Sequence, residues 1–157
     1  MKKLFFVILC CVLASCATPI KGGVINVHNI DGVENVAVKG YDVVSYFKLK
    51  RVGKKTPVKG KKEISYKWQD VNWFFSSKQN LDQFKQSPEK YAPQYGGYCA
   101  YGVSVPQQKI DIEPEAWTVY KGKLYLNYTK RTQDIWLADK DEHIEAADEN
   151  WPEVQLQ

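Results

Sequence analysis

The residues of this chain best suited to chemistry lie in a glycine-rich stretch, Gly96-Gly97-Tyr98-Cys99-Ala100-Tyr101-Gly102. Glycine lets backbone approach a ligand closely, so Cys99, with Gly97, Tyr98 and Tyr101 around it, is the candidate functional thiol. A free cysteine also serves as a small buried hydrophobe, and no histidine adjoins Cys99 to activate it. Exposure and pKa separate the two readings. Asp42 and Asp111 are candidate carboxylates near that loop, although an Asp beside Gly40 and Tyr41 equally suits a turn or cap. His28 and His143 are the only histidines. Neither has a second histidine at ligand spacing, and both are expected to be solvated. No Ser-His-Asp order, nucleophile elbow, phosphate-binding loop or dinucleotide fingerprint occurs.

A second kind of chemistry is written into the first residues. Lys2 and Lys3 precede an apolar run from Leu4 to Leu13, then small residues, the layout of a secretory signal. The run is about half of the roughly 20 residues needed to cross a bilayer. Its end, Leu13-Ala14-Ser15-Cys16, resembles the lipobox of bacterial lipoproteins. That resemblance implies cleavage before Cys16, acylation of its thiol and new amine (palmitate among the acyl chains), and anchoring to a membrane of the cell envelope facing the periplasm or exterior. Ala17 after the lipid cysteine is compatible with outer-membrane sorting. Loss of residues 1–15, with Lys2 and Lys3, lowers the net charge from +4 to +2. A near-neutral chain without a basic, aromatic-interleaved stripe gives no case for nucleic acid. Cys10 and Cys11 leave with the signal and Cys16 is acylated, so Cys99 remains the one thiol. No internal disulfide and no cysteine-only zinc site can form, and stability must come from packing.

These groups have to be positioned by a small core rich in aromatics, with five Trp and ten Tyr in the chain. Residues 16–34 read as lipidated terminus, tether and entry segment, residues 35–152 as the domain, and 153–157 as a tail. Alternation from Asn35 to Lys39 predicts a strand, and Tyr41 to Phe47 a buried extended or short helical segment. Lys48 to Lys62, dense in Lys, Gly and Pro, reads as a solvated loop. Ile64, Tyr66 and Trp68, then Val71, Trp73 and Phe75, alternate about Gln69-Asp70 and predict a hairpin. Ser76 or Ser77 caps the next helix, with Ser76 and Gln79 fitting a capping box. Pro88 opens a short helix at its first position. A second hairpin turns at Lys121-Gly122, with Leu124, Leu126 and Tyr128 on one face. Two helical pieces follow, an Asp139/Glu142 capping box opening the second and Pro152 ending it. The tryptophans and tyrosines sit at strand and helix spacing and read mainly as core, although such a set can line a pocket. The fold class is α+β, a small single domain of antiparallel hairpins with helices packed on one side.

Trp73-Phe74-Phe75-Ser76-Ser77, Phe84 and Pro88-Glu89-Lys90-Tyr91 together resemble a YHS domain. Val38 to Val44, Tyr95 to Gly102, Pro114 to Trp117, Gly122 to Tyr128 and Ala147 to Pro152 extend the resemblance to stand-alone exported YHS proteins, over about residues 30–152. In metal-handling members this stretch carries cysteines, which fall here on Ser76, Asn80 and Lys39. Hydroxyl and amide groups are poor ligands for soft metals, so no metal or other cofactor is expected, and Ser76 reads as a helix cap. Selenoprotein-like relatives imply a selenocysteine at the position of Cys99. The resulting expectation is a non-catalytic, membrane-anchored binding or accessory module for an envelope protein or small ligand. The alternative is a thiol-based redox or soft-metal protein using Cys99. A carboxylate enzyme built on Asp42 and Asp111 is a third, weaker reading.

Overall fold

The computed structural model describes residues 24–52 and 56–157; the segment expected to be an export signal and Cys16 lie outside them. β1 (Val27–Ile30) and β2 (Val33–Ala37) form a hairpin about Asp31 and Gly32, both at positive φ. That turn matches the twist of the strands it joins. Ile25 and Asn26 are buried just before it, so the domain begins within the segment expected to be tether and entry. The sequence masks this strand because only alternate side chains are even half-buried. After a 3₁₀ turn at Val38–Gly40 comes α1 (Val43–Val52). It runs five residues into the Lys-rich stretch expected to be loop, since lysine is a good helix former and Leu49 is buried on the inner face.

β3 (Lys61–Trp68) and β4 (Val71–Phe75) form the expected antiparallel hairpin. The sheet order is β1-β2-β4-β3, and β2 pairs with β4 in parallel, Val36 opposite Asn72. The hairpins are antiparallel, and this parallel pairing between two of them makes the four-stranded sheet mixed. The pairing joins strands more than thirty residues apart in sequence, with no local turn to signal it.

α2 (Lys78–Gln86), α3 (Pro88–Tyr91) and the short α4 (Ala100–Ser104) lead to a two-stranded antiparallel sheet, β5 (Glu113–Tyr120) and β6 (Lys123–Asn127). α5 (Lys130–Ala138) and α6 (Lys140–Val154) close the chain. Together these elements make one small α+β domain. Among the described residues, no helix is long and apolar enough to cross a membrane.

Three local expectations are corrected. Ser77, not Ser76, caps α2, its hydroxyl accepting the Asn80 N–H at 3.2 Å. The Asp139 side chain makes no cap bond to α6. Pro152 lies inside α6 rather than ending it; a proline so close to a terminus forfeits little of the hydrogen-bond ladder, and Val154, two residues on, is buried. Residues 153–157 are therefore not simply a tail.

Phe84 is the centre of the main core, with the rings of Tyr66, Trp68, Trp73 and Phe75 at 5.0–6.5 Å. β6 is covered on both faces. Leu124 and Leu126 join this core, while Tyr125 joins a second cluster with Tyr95, Trp136, Ala147 and Val154. Tyr128, expected beside the two leucines, is half exposed because it lies past the end of the strand.

Gly96 fastens the N-terminal edge to this body. Its φ is +60°, and a Cβ there would meet the Val24 carbonyl oxygen at 1.9 Å. Its own carbonyl accepts the Asn26 N–H at 2.8 Å. Gly96→Ala is therefore expected to lower the unfolding free energy by about 2 kcal/mol or more, combining left-handed strain with a backbone clash. Chemical denaturation measures this; a loss within about 0.5 kcal/mol would contradict the contact.

Candidate functional site

Asp42 is completely buried. Oδ1 accepts the N–H groups of Val44 and Ser45 at 3.0 and 3.2 Å, which caps α1. Oδ2 accepts the Ser76 N–H at 2.8 Å, the Ser76 hydroxyl at 2.6 Å and the Asn80 side-chain amide at 2.6 Å. Lys48 Nζ donates to Asn80 Oδ1. Ser76 is thus not a helix cap but a clamp on Asp42. Five donors on one buried carboxylate leave it committed to structure. Ser76 and Asn80, two of the three positions at which the YHS resemblance expects cysteines, meet here, with 3.3 Å between Ser76 Oγ and Asn80 Nδ2. Lys39 lies apart from them, paired with Asp111 at 2.7 Å.

Cys99 is buried, 1% exposed. It begins α4 rather than standing in an open loop: Sγ accepts the Gly102 N–H at 3.3 Å and the Tyr128 N–H at 3.2 Å. The thiol in turn lies 3.7 Å from Asn127 Oδ1, which also accepts the Tyr101 N–H. Burial pushes the thiol pKa up, and the backbone donors from Gly102, Tyr128 and Tyr101 only partly offset that. Asn127 is itself buried, and its Nδ2 has no hydrogen-bond partner among the described residues. Gly97 is buried and Tyr98 half-buried.

Asp111 does adjoin this region. Asn26 Nδ2 donates to Asp111 Oδ1 at 3.1 Å and lies 3.4 Å from the Gly97 carbonyl. Burial alone would raise the Asp111 pKa, but hydrogen bonds from Lys39 and Asn26 outweigh it and hold the carboxyl below its usual value. Asp42 and Asp111 share no partner and do not form a pair. The histidines are not free in solvent as expected. His28 is half-buried with Nε2 3.3 Å from Asp111 Oδ1, outside hydrogen-bond geometry, and burial lowers its pKa. His143 is half-buried, Nδ1 3.2 Å from Ser104 Oγ, its ring edge-on to Tyr101. Among the described residues, no group of three or more His, Cys, Asp or Glu is placed to hold a metal ion.

A concave site lies elsewhere. A cleft of about 230 Å³ opens between the β3–β4 turn, the segment after α3, and α6. Trp68 and Trp73, 5.7 Å apart, line one side, and Tyr95 and Trp151, 5.9 Å apart, the other. Polar groups are few: Gln69, Glu89, Gln94 and Asp148. Asp148 accepts the Tyr95 hydroxyl at 2.9 Å. Burial foremost, then this carboxylate, raises the Tyr95 pKa far above its ordinary value. Gln69 Oε1 is buried without a donor. The aromatics were visible in the sequence, but as core. Their convergence joins separate segments and has no local signature.

Comparison with protein-family models, curated proteins and solved structures finds no match to this chain.

Two measurements test these assignments. Asp42→Asn turns one acceptor into a donor facing donors, and is expected to cost about 3 kcal/mol of stability; a loss under about 1 kcal/mol in denaturant titration would show the carboxylate to be dispensable. Cys99 in the folded protein is expected to resist iodoacetamide from pH 5 to 8, labelling readily only in denaturant. Rapid labelling at pH 6 would contradict its burial.

Proposed function

We propose that this chain is a YHS-type envelope lipoprotein, held to its membrane through acylated Cys16, and that it works as a non-catalytic binding module whose ligand occupies the Trp68–Trp73–Tyr95–Trp151 cleft. The observation that carries the reading is the cleft: a concave, mostly aromatic site with a few convergent polar groups, the usual character of a small-molecule site. The distribution of reactive groups supports it. A general base or nucleophile needs access to substrate and a suitable pKa. Cys99 is buried with a raised pKa, and both Asp42 oxygens are engaged by protein donors. The same facts weigh against the thiol-redox alternative, since oxidation follows thiolate character and exposure. No metal or cofactor belongs to this reading, because Ser76, Asn80 and Lys39 offer no soft ligands.

Anchoring and binding are tested separately. Cys16→Ser is expected to abolish incorporation of labelled palmitate and to leave the signal uncleaved; normal labelling would refute the lipid anchor. For the cleft, the neutral fluorophore N-phenyl-1-naphthylamine is expected to bind the soluble domain and to quench tryptophan emission. Trp151→Ala should weaken that binding about tenfold, the loss of roughly one buried aromatic contact. Equal affinity in a Trp151→Ala protein of intact fold would move the ligand out of the cleft.

A further inference from the structure

We infer that the ligand of this cleft is an organic ammonium ion carried on an apolar stem. The inference rests on the cleft being the binding site, and it is drawn from charge. Two carboxylates, Glu89 and Asp148, are among the residues lining the cleft, and no Lys or Arg is among the described ones. This stands out in a chain with 22 basic residues against 18 acidic ones. The cations nearest in sequence have other partners: Lys67 pairs with Asp70 at 3.5 Å, and Lys90 Nζ lies 5.2 Å from the centroid of the Tyr91 ring.

The walls have the same preference. Three tryptophans and a tyrosine are among the lining residues, and of these the half-buried Trp68 and Trp151 are the accessible rings; tryptophan is the strongest of the cation-binding rings. Exposed lysines elsewhere on this protein already use tyrosine faces in this way, Lys121 and Lys140 over Tyr120 at 4.9 and 5.1 Å. Inside the cleft no such cation is supplied by the described residues. Gln69, at the β3–β4 turn, adds a polar residue to the lining. Exposed carboxylates and accessible tryptophans in one lining both favour a positively charged donor. An anion would meet two like charges and find no basic partner among the described lining residues, and a neutral apolar ligand would leave the acids unused.

Isothermal titration of the soluble domain with benzylammonium and with benzyl alcohol, at low ionic strength, separates charge from shape. The two probes share a ring and differ in the head group. Benzylammonium is expected to bind at least tenfold more tightly, and the ratio should shrink in high salt, which screens rim carboxylates. Glu89→Gln, and Asp148→Asn, which keeps an acceptor for the Tyr95 hydroxyl, should each narrow the ratio several-fold. If benzyl alcohol binds as tightly as the ammonium, the charge inference fails while the cleft remains a binding site. If neither probe binds at millimolar concentration, the binding reading falls and this inference with it.

Discussion

Asp42 is fully buried, and its two oxygens take five hydrogen bonds from segments more than thirty residues apart. One oxygen satisfies backbone donors that the first turn of α1 would otherwise leave orphaned. The other satisfies the residue that ends β4 and the first turn of α2. A desolvated carboxylate is unfavourable unless its partners are complete, so these three elements can only pack in the arrangement that completes them. The parallel β2–β4 pairing follows, because α1 must start at the level where β4 ends. So does the position of Phe84 on α2, against which the rings of β3 and β4 close.

The Asp42 joint also gives the YHS resemblance a physical reading. The positions of Ser76 and Asn80 converge in space, as two ligands of one ion would have to. In this chain the shared point is a protein carboxylate rather than a metal, and Lys48 supplies a positive charge through Asn80. A thiolate pair and a bound ion could not sit here unless Asp42 gave up its partners, which agrees with the expectation of no metal at these positions.

Local rules found what local physics determines. Period-two alternation located both long hairpins, and Pro88 marked the first position of α3. What failed was set by distant partners. β1 looks like a polar tether because its burial comes from β2 and the Gly96 segment. Ser76 and Ser77 are equivalent as caps until Asp42, thirty-four residues earlier, claims one of them. The Lys-rich run is partly helix, its register held by Leu49 rather than by the charges around it. Cys99 shows the same limit: glycine neighbours suggest an open loop, whereas those glycines allow the chain to fold tightly over the sulfur. The cleft was hardest to see. Its aromatics come from β3, β4, the turn after α3, and α6, and no window of sequence contains more than two of them.

Tyr95 connects the buried thiol to the cleft. It is a non-glycine residue at φ +55°, followed by Gly96 and Gly97 at +60° and +79°. A single residue held in this region costs on the order of 1 kcal/mol or more, and persists only where surrounding contacts over-determine it. Those contacts are present. The Tyr95 ring packs on Tyr125 and Trp151, and its hydroxyl reaches Asp148. Downstream, Cys99 pins the same segment: its N–H donates to the Ile110 carbonyl, and its sulfur accepts from Gly102 and Tyr128. The thiol thus helps fix the backbone that aims Tyr95 into the cleft wall. If the cleft binds as proposed, its aromatic geometry is set before any ligand arrives, so little side-chain entropy is left to be lost on binding. Cys99 would then serve the cleft through the backbone it holds, without its sulfur reacting.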